Sequence, residues 1–484
     1  MAKINRREFI EKTLLCNGSI ILGSGFGASV FSNYFLLPPA IEYHVPIQPS
    51  NPSLVWSQDK CKGCRECVIA CTEIQKVHGS YKSVKNHHVC IHCGKCLMTC
   101  DKGAITEKFG WQDVLKAIDD PSKIVIASIS PSVPAGIGDY FGMTAGSYLH
   151  SNIAGSCKAL GFDYVLDTNF SADLTIMEEA HELQKRIEQK QKMPQFTSCC
   201  PAWVKYVEMF YPSLVNHLSS TRSPVIMQGA MVKTYFADKM KIDPSKIVHV
   251  AFTPCTAKKY EITRDELTTD GMRSTDFALT TNELALMLHS KKIDLAVMNG
   301  KYDSLMGNAS GSAAIFGNTG GVMRAAIRTA HYNMTGKNPG VELISLKDVQ
   351  GLKGMKEATV DIAGVSLNVA VCYEMRNAQV ILEQVKKGTC KYDFVEVMSC
   401  QGGCIGGAGQ PTKLTEVLEN RIKALDTADA SAGIRYCHEN PEIKKIYKKF
   451  LGKPGGEKAE HYLHTSFTDK SSLLVAANAA VPAR

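Results

Sequence analysis

The sequence predicts an α/β protein of two or three domains, and three observations carry that prediction. The chain has 484 residues, more than one ordinary domain holds. Its 44% hydrophobic and 21% charged residues are typical of a globular protein with a sizeable core. Beyond residue 110, short β-branched segments alternate with helical patterns, which is typical of mostly parallel sheets.

The predicted strands can be read directly from the sequence. They are KIVIASISPS at 123–132, FDYVLDT at 162–168, KIVHVAFTPC at 246–255, IDLAVMN at 293–299, VSLNVAVCYE at 365–374 and the segment Phe394–Met398. Helical patterns follow, for example over 172–190 and 202–210. A final stretch, 440–464, is predicted to be helical and basic and then loop-like.

Eight of the eighteen cysteines form two CxxCxxCxxxC runs, which indicates iron–sulfur chemistry. The runs are Cys61, Cys64, Cys67, Cys71 and Cys90, Cys93, Cys96, Cys100. Three thiolates at this spacing wrap one cubane, while the fourth cysteine reaches the other cluster. The spacing therefore assigns Cys61, Cys64, Cys67 and Cys100 to one 4Fe–4S centre, and Cys71, Cys90, Cys93 and Cys96 to a second.

Two other uses of these cysteines, a disulfide scaffold and a zinc ribbon, fit the sequence less well. Disulfide scaffolds are short and loop-rich, with cysteines spread along the chain. A zinc ribbon does not need the third and fourth cysteine of each run. One departure from ferredoxins is that Thr72 and Asp101 follow the fourth cysteines, where proline is usual.

Three more cysteine segments follow or flank predicted strands: TSCCPAW at 197–203, TPCTAKKYE at 253–261 and EVMSCQGGC at 396–404. Ligand sites gather at the carboxyl ends of parallel strands, and helix N-termini there favour anions. The three segments are therefore predicted to converge on one buried cofactor. The remaining cysteines of this region, Cys157, Cys372, Cys390 and Cys437, are predicted to be ordinary core residues.

In this order the three segments resemble the catalytic domain of the iron-only (FeFe) hydrogenases, and the resemblance extends from about residue 59 to residue 464. It implies a ferredoxin-like α+β domain with two 4Fe–4S clusters at 53–110. An α/β catalytic domain of two lobes follows at 111–435, and a helical, small-subunit-like tail at 436–484. The implied activity is the reversible heterolytic cleavage of dihydrogen.

The resemblance also assigns roles to individual residues. It implies an H-cluster, which is a 4Fe–4S cubane bridged to a two-iron unit with CO, CN and azadithiolate ligands. Cys200, Cys255, Cys400 and Cys404 resemble the cubane ligands, and Cys404 also the bridge to the two-iron unit. Lys258 resembles the cyanide-binding lysine, and Met398 packs against the bridging ligands. Pro131, Ser132, Pro224 and Gln410 are expected around the cofactor.

A proton path is implied as well. Cys199 resembles the free thiol that exchanges protons with the two-iron unit. Glu179 and Glu182, three residues apart on one helix face, match the family's relay together with Ser219, and Arg186 lies near the exit. Carboxylates at this spacing are otherwise most often a solvated helix face.

Two rival functions stay open at this point. A hydrogen-sensing hydrogenase typically lacks the proton-carrying cysteine and adds a signalling domain, whereas Cys199 is present. A hydrogenase-like iron–sulfur scaffold protein loses parts of the three segments, whereas Cys199, Lys258 and Cys404 are all retained. Thr253, Val225, Asn318 and Ala408 depart from the more common family residues without removing any ligand.

The N-terminus suggests export. Residues 1–35 resemble a twin-arginine signal around Arg6 and Arg7, and 36–52 is a proline-rich linker. A periplasmic or membrane-associated enzyme would serve a cytochrome or a membrane redox subunit, whereas a cytoplasmic one would serve ferredoxin. Residues 59–108 contain nine Lys and Arg against five Asp and Glu, a net charge of +4 that favours an acidic partner. Maturation proteins are implied, and no nucleic-acid groove is evident.

Overall fold

The computed structural model describes residues 47–77, 89–340, 343–411 and 415–474. The predicted export segment, 1–35, and most of the predicted linker lie outside these residues. Among the described residues, no helix is both long and apolar enough to span a bilayer.

Thirteen strands are present. They are β1 Leu54–Trp56, β2 Ile105–Glu107, β3 Ile124–Ile129, β4 Tyr164–Asp167, β5 Gln195–Phe196, β6 Ile247–Thr253, β7 Thr268–Thr269, β8 Met272–Arg273, β9 Phe277–Thr280, β10 Lys347–Asp348, β11 Met355–Ile362, β12 Val365–Tyr373 and β13 Phe394–Met398 within the described residues.

The α-helices are interspersed with short 3₁₀ and π segments. They are α1 Glu66–Ile69, α2 Lys95–Thr99, α3 Trp111–Ile118, α4 Ser132–Gly136, α5 His150–Leu160, α6 Thr168–Gln189, α7 Pro201–Phe210, α8 Pro224–Met231, α9 Ala237–Met240, α10 Lys258–Glu261, α11 Thr281–Ser290, α12 Gly311–Ala314, α13 Gly321–Thr335, α14 Met375–Lys386, α15 Thr415–Ser431, α16 Pro441–Ile446 and α17 Glu457–Leu463.

Two larger sheets form the main α/β region. The first has the order β4-β3-β6-β9, and every neighbouring pair is parallel. The second has the order β10-β11-β12-β13-β5; it is parallel from β12 to β5, but β11 and β12 form an antiparallel hairpin. The α/β architecture with parallel sheets is therefore confirmed. Parallel strands read as continuous apolar runs because both faces are covered, as β3 and β13 are here.

Helix α6 joins the two sheets. Its 22 residues pack against α8 on one side and α13 on the other. Its N-cap is Asp167, the last residue of β4, whose side chain accepts a hydrogen bond from the Asn169 amide at 2.9 Å. The first three turns are almost entirely buried, so any carboxylate on their inner face is withdrawn from water.

The predicted strand at 293–299 is wrong, because this segment forms turns. Lys292 has a left-handed φ of 58°. The Asp294 side chain accepts a hydrogen bond from the Ala296 amide at 3.0 Å, which is a local turn that competes with strand pairing. Leu295 is buried, but Val297 is 71% exposed. The apolar composition of the segment thus reflects one buried side chain, Leu295, rather than a strand covered on both faces.

The N-terminal cysteine region shows a repeated backbone pattern. Gly63 and Arg65 have φ values of 68° and 67°, and the matching positions of the second run, His92 and Gly94, have values of 61° and 72°. Helices α1 and α2 follow these left-handed residues. Strands β1 and β2 pair in antiparallel fashion and bring the two ends of the region together. The ferredoxin-like assignment of this region stays a prediction.

The C-terminal segment is fastened to α6 and to the segment before α8. The Glu178 carboxylate accepts hydrogen bonds from the Tyr447 hydroxyl and, at 2.8 Å, from the Gly455 amide. The Arg222 amide donates to the Leu463 carbonyl at 2.8 Å, and the Thr465 amide donates to the Ser220 carbonyl at 2.8 Å. Residues near the end of the chain therefore lie close to the middle of α6.

Candidate functional site

Four thiols meet where the strands of the two sheets end. Cys200 is the N-cap of α7, Cys255 follows β6, and Cys400 and Cys404 follow β13. Burial raises the pKa of the Cys404 thiol, and the charges of Cys255 and Cys200 raise it further. The pKa of Cys255 is about 11, again through burial and then through the charge of Cys200. We call these four residues the site thiol set.

Two further groups of thiols lie in the N-terminal region. We call Cys61, Cys64, Cys67 and Cys100 the outer thiol set, and Cys71, Cys90, Cys93 and Cys96 the inner thiol set. Burial, followed by the charges of the other three members, raises the pKa of Cys67 to about 11. Burial and then the other members of the inner set raise the pKa of Cys96 well above its usual range. The structure thus brings together the groups predicted from spacing; their ligation of iron stays a prediction.

The chemistry of these donors fits clusters better than single ions. Each set offers four thiols, which are soft ligands that bind iron–sulfur clusters or zinc. Among the described residues, however, no three His, Cys, Asp or Glu side chains are close enough to share one metal ion. None of the seventeen cysteines in this part of the chain is in a disulfide. Widely spaced free thiols are what a cubane requires, because its corners hold the sulfurs apart.

The inner thiol set touches the site thiol set. The Ser399 hydroxyl hydrogen-bonds the sulfur of Cys93, and the charges of Cys93 and Cys400 interact. Gln75 and Ser399 form a reciprocal pair, with Gln75 Nε2 donating to the Ser399 carbonyl at 3.1 Å and Ser399 Oγ donating to Gln75 Oε1 at 3.2 Å. At the other end Cys64, of the outer set, is exposed. The charge of Cys67, of the outer set, also acts on Cys96 of the inner set, so the three sets follow one another from the surface to the buried site.

A buried cation lies beside the inner set. Lys205 Nζ is 2.9 Å from His92 Nε2 and 4.2 Å from the centroid of the Tyr260 ring. The His92 amide in turn donates to Cys90 Sγ at 3.3 Å. Burial lowers the pKa of Lys205 to about 8. Sequence reasoning missed this residue, because a single lysine on an apolar helix gives no periodic pattern.

Lys258 and Cys199 are adjacent at the site. Lys258 Nζ is buried and donates to the Cys199 carbonyl at 3.0 Å and to Glu261 Oε2 at 2.8 Å. Burial by itself lowers the pKa of Lys258, but the Glu261 carboxylate outweighs it, so the net pKa lies above the usual value. Burial, then the charges of Glu179 and Cys404, raise the pKa of the Cys199 thiol well above its usual range. Glu261 was missed, although its spacing of three from Lys258 predicts such a pair.

The other residues expected around the cofactor lie close by. Met398 is buried in one apolar cluster with Cys199 and Phe316, and Cys404 packs against that cluster. Gln410 Nε2 donates to the Ser132 carbonyl at 2.8 Å. Among the described residues, Gln410 Oε1 and Ser132 Oγ are buried without a hydrogen-bond partner. A buried polar atom without a hydrogen-bond partner lowers the stability of the fold unless a bound group supplies the partner.

Two prolines begin the helices around the site. Pro131 precedes α4 at the carboxyl end of β3, and Pro224 is the first residue of α8. Both are tolerated there because the first turn of a helix needs no amide donor. The hydroxyl of Ser223, just before Pro224, donates to Glu261 Oε2 at 2.9 Å, so this helix start is tied to the carboxylate that holds Lys258.

The predicted relay residues are also brought together. Ser219 Oγ donates to Glu182 Oε2 at 2.6 Å, and Arg186 donates to Glu182 Oε1 at 2.7 Å. Both Glu179 carboxyl oxygens are buried and have no hydrogen-bond partner among the described residues. Burial, then the charges of Glu182 and Glu396, raise the pKa of Glu179 well above its usual range. Glu179 can therefore carry a proton near neutral pH.

The sequence analysis did not identify two residues of this region, Thr221 and Glu396. Thr221 Oγ1 lies 2.9 Å from Ser219 Oγ and 3.4 Å from Ser198 Oγ, so it joins the two serines. Glu396 accepts hydrogen bonds from the Gly320 amide at 2.6 Å and the Met323 amide at 2.8 Å, and burial raises its pKa to about 7. A charged residue inside the apolar strand β13 was a usable signal.

Of the four cysteines predicted as core residues, Cys157 lies in an apolar cluster that contains no member of a thiol set, whereas Cys372 and Cys437 lie in clusters against which Cys200 packs. Cys157, Cys372 and Cys437 are fully buried, whereas Cys390 is partly exposed. Cys437 Sγ lies 3.0 Å from the Thr329 hydroxyl.

Three sets of free thiols, from exposed Cys64 to the ends of parallel strands, are typical of an iron–sulfur redox enzyme, and comparison with known families identifies which one. The family "Iron only hydrogenase large subunit, C-terminal domain" matches residues 123–408, and "Iron hydrogenase small subunit" matches residues 415–470. The chain belongs to the iron-only hydrogenase family and carries a small-subunit-like C-terminus.

Individual relatives of this chain are also iron hydrogenases. Iron hydrogenase 1 of Clostridium pasteurianum is 38% identical over 90% of this chain and 79% of its own length. The periplasmic Fe hydrogenase large subunit of Nitratidesulfovibrio vulgaris is 42% identical over 81% of this chain and 95% of its own. The solved structure of HydA1 from Chlamydomonas reinhardtii is similar with a TM-score of 0.67 at 36% identity, covering 74% of this chain and 98% of that one.

A more distant relative bears on the scaffold alternative. Cytosolic iron-sulfur assembly component 3 of Bos taurus is 28% identical over 78% of this chain and 82% of its own length. The hydrogenases are more similar, so the chain is an enzyme of hydrogen oxidation or production.

Proposed function

We propose that this chain catalyses the reversible conversion of dihydrogen into protons and electrons at an H-cluster held by the site thiol set. The observation that carries the proposal is the convergence of Cys200, Cys255, Cys400 and Cys404 beside Cys199 and Lys258. The bound cluster would supply the heterolytic cleavage of dihydrogen. Cys404 would also join the two-iron unit, and Lys258 would donate a charge-assisted hydrogen bond to a cyanide ligand.

Protons are proposed to leave through Cys199, Glu179, Ser219 and Glu182. The Cys199 thiol and the Glu179 carboxyl interact electrostatically and are both held neutral by burial. The Ser219 hydroxyl is already hydrogen-bonded to Glu182, and Arg186 fixes the other oxygen of that carboxylate. Each group can therefore take up one proton and pass one on without stranding a charge in the interior.

Electrons are proposed to leave through 4Fe–4S clusters on the inner and outer thiol sets. The proposal is supported by the interaction of Cys93 with Ser399, beside the site, and by the exposure of Cys64 in the outer set. Lys60, Lys62 and Arg65 are exposed around the outer set, so an acidic electron carrier would be attracted there. A ferredoxin, a cytochrome or a membrane redox subunit are the candidate carriers.

We further propose export through the twin-arginine segment at 1–35. Iron–sulfur clusters are inserted in the cytosol, so the protein would have to cross the membrane already folded, as twin-arginine substrates do. Fractionation of the native cell tests this: activity in the periplasmic or membrane fraction supports export, and activity confined to the cytosol refutes it.

The decisive experiment combines infrared spectroscopy with activity on anaerobic protein made together with maturation proteins. Wild-type protein should show sharp CO and CN bands that change under dihydrogen, and it should turn over. Cys404→Ser should lose both the bands and turnover, whereas Cys157→Ser, at a buried cysteine in a cluster without any member of a thiol set, should retain the bands. Cluster iron without these bands in the wild type would refute the proposal and favour the scaffold alternative.

The same experiment separates a sensor from a turnover enzyme. A hydrogen sensor would show CO and CN bands with little turnover. The retention of Cys199 at the inner end of the proposed proton path favours turnover.

A further inference from the structure

The outer end of the proposed proton path opens into a cavity. Its volume is about 180 Å³, and its lining includes Glu182, Arg186, Ser220, Glu460 and His464. Glu182 is the last carboxylate of the proposed path, so a proton that leaves it enters this cavity. The cavity is large enough to hold several water molecules.

His464 is held in this cavity by hydrogen bonds on both ring nitrogens. Nδ1 lies 2.8 Å from Ser220 Oγ, and Nε2 lies 3.0 Å from Glu178 Oε2. The Ser220 amide donates to Glu182 Oε2 at 3.0 Å. One residue of the main domain therefore touches both the last carboxylate of the path and a histidine of the C-terminal segment.

These contacts favour one arrangement of the hydrogens. Because Glu178 is a carboxylate that accepts from Tyr447 and Gly455, Nε2 of His464 is the donor to it. Nδ1 is then free to accept from the Ser220 hydroxyl. The ring is thus oriented with its basic nitrogen toward the hydroxyl that lines the cavity.

The surrounding charges support protonation of this ring. Glu178 and Glu182 on α6 and Glu460 on α17 are negative, while Lys185, Arg186 and Lys192 line the same cavity, and Arg222 donates to the His464 carbonyl. Burial lowers the pKa of His464, but the hydrogen bond and charge of Glu178, then the charges of Glu460 and Glu182, raise the net pKa above its usual value.

We propose that His464 is the proton acceptor at the surface end of the path, so that the small-subunit-like segment supplies its last group. The Glu182 carboxyl gives its proton to a cavity water, that water gives one to Ser220 Oγ, and the Ser220 hydroxyl gives one to His464 Nδ1. Each group gains one proton and loses one, and the imidazolium then releases its Nδ1 proton to the exposed carboxylate of Glu460, whose Oε2 lies 3.9 Å from Nδ1, and from there to solvent. In dihydrogen production the sequence runs in reverse. The inference rests on the proposed proton path through Glu182.

Chemical rescue is the test. His464→Gln should lower turnover roughly tenfold, less than the hundredfold or more expected for a group acting at the reacting atoms. The KM for dihydrogen and the infrared bands should be unchanged. Added imidazole should restore turnover of this variant in proportion to its concentration, which a purely structural loss would not show. His461→Gln is the matched control, because His461 is exposed on α17, which ends directly before His464, and pairs with Asp270.

A second variant keeps the test valid if His464→Gln does not fold. Ser220→Ala removes the hydroxyl and leaves the His464–Glu178 pair in place, so it should lower turnover several-fold and increase the solvent deuterium isotope effect. Wild-type turnover in both variants, or a loss in His464→Gln that imidazole does not relieve, would overturn the inference. Glu182→Gln separates failure of the proposed path from failure of the role of His464. Wild-type turnover in Glu182→Gln would refute the path itself. Reduced turnover in Glu182→Gln together with wild-type turnover in His464→Gln would refute only the role of His464.

Discussion

Glu179→Gln should abolish turnover and at the same time stabilise the protein. The Glu179 carboxyl is 1% exposed, and neither oxygen has a hydrogen-bond partner among the described residues. Burial, then the charges of Glu182 and Glu396, raise its pKa well above the usual 4.5. An amide has the same shape but cannot carry a proton along the path. We expect turnover to fall on the order of a hundredfold or more.

The effect on stability follows from proton linkage. Above pH 4.5 the unfolded chain releases a proton that the folded protein keeps on Glu179. The free energy of unfolding therefore falls as pH rises, by about 1.4 kcal/mol per pH unit, until the pKa of the folded state is reached. Glutamine removes this contribution, so the stability difference between variant and wild type should grow with pH at about that slope.

Urea unfolding of both proteins, from about pH 5 to about pH 8, measures the difference. Parallel pH dependences would show that Glu179 is ionised in the folded protein and would refute the reasoning. Glu178→Gln, one residue away, should have the opposite effect on stability. It breaks the pair with His464 and should destabilise the protein by about 3 kcal/mol.

Three further perturbations test other parts of the structure. Lys205→Met removes a buried positive charge and should lower the reduction potential of a cluster on the inner thiol set by on the order of 50 mV in an EPR titration; an unchanged potential would show that the charge is screened. Gly94→Ala should slow electron transfer to an external carrier, because the new Cβ would overlap the side chains of Ala408 and Thr256 in the catalytic domain. Gly103→Ala has a similar left-handed φ but no neighbour within 4 Å and should retain the rate. Arg328→Met removes the bidentate partner of buried Asp429 and leaves the Arg435 contact at 3.3 Å, so chemical denaturation should show a loss of about 3 kcal/mol.

Strands and thiols were the features most accessible from sequence. Apolar runs predicted β3, β6, β12 and β13 because covered parallel strands need no polar face. The same criterion failed at 293–299, where composition could not distinguish one buried leucine from a covered strand. The outer and inner thiol sets could be predicted because cubane ligation imposes a fixed spacing on the chain, whereas the site thiol set was predicted from the ends of strands and from the family resemblance.

Residues that act through long-range contacts could not be predicted in this way. His464 reaches Glu178 across 286 positions, and Lys205 reaches His92 across 113. No local period encodes such pairs, and each polar side chain alone resembles an ordinary surface residue. Glu261 and Glu396 lie between these cases, because helical spacing or an apolar strand marks them locally.

The reciprocal pair between Gln75 and Ser399 would make the proposed electron path depend on the packing of the N-terminal region against the catalytic domain. Ser399 also hydrogen-bonds Cys93 and directly precedes Cys400, so one residue sets the spacing between two thiol sets. Electron tunnelling falls off exponentially with distance, and a small opening between the domains would disconnect the site while leaving every thiol in place. Replacing the N-terminal module with one from another redox protein would therefore succeed only if the new module carried its own partner for Ser399.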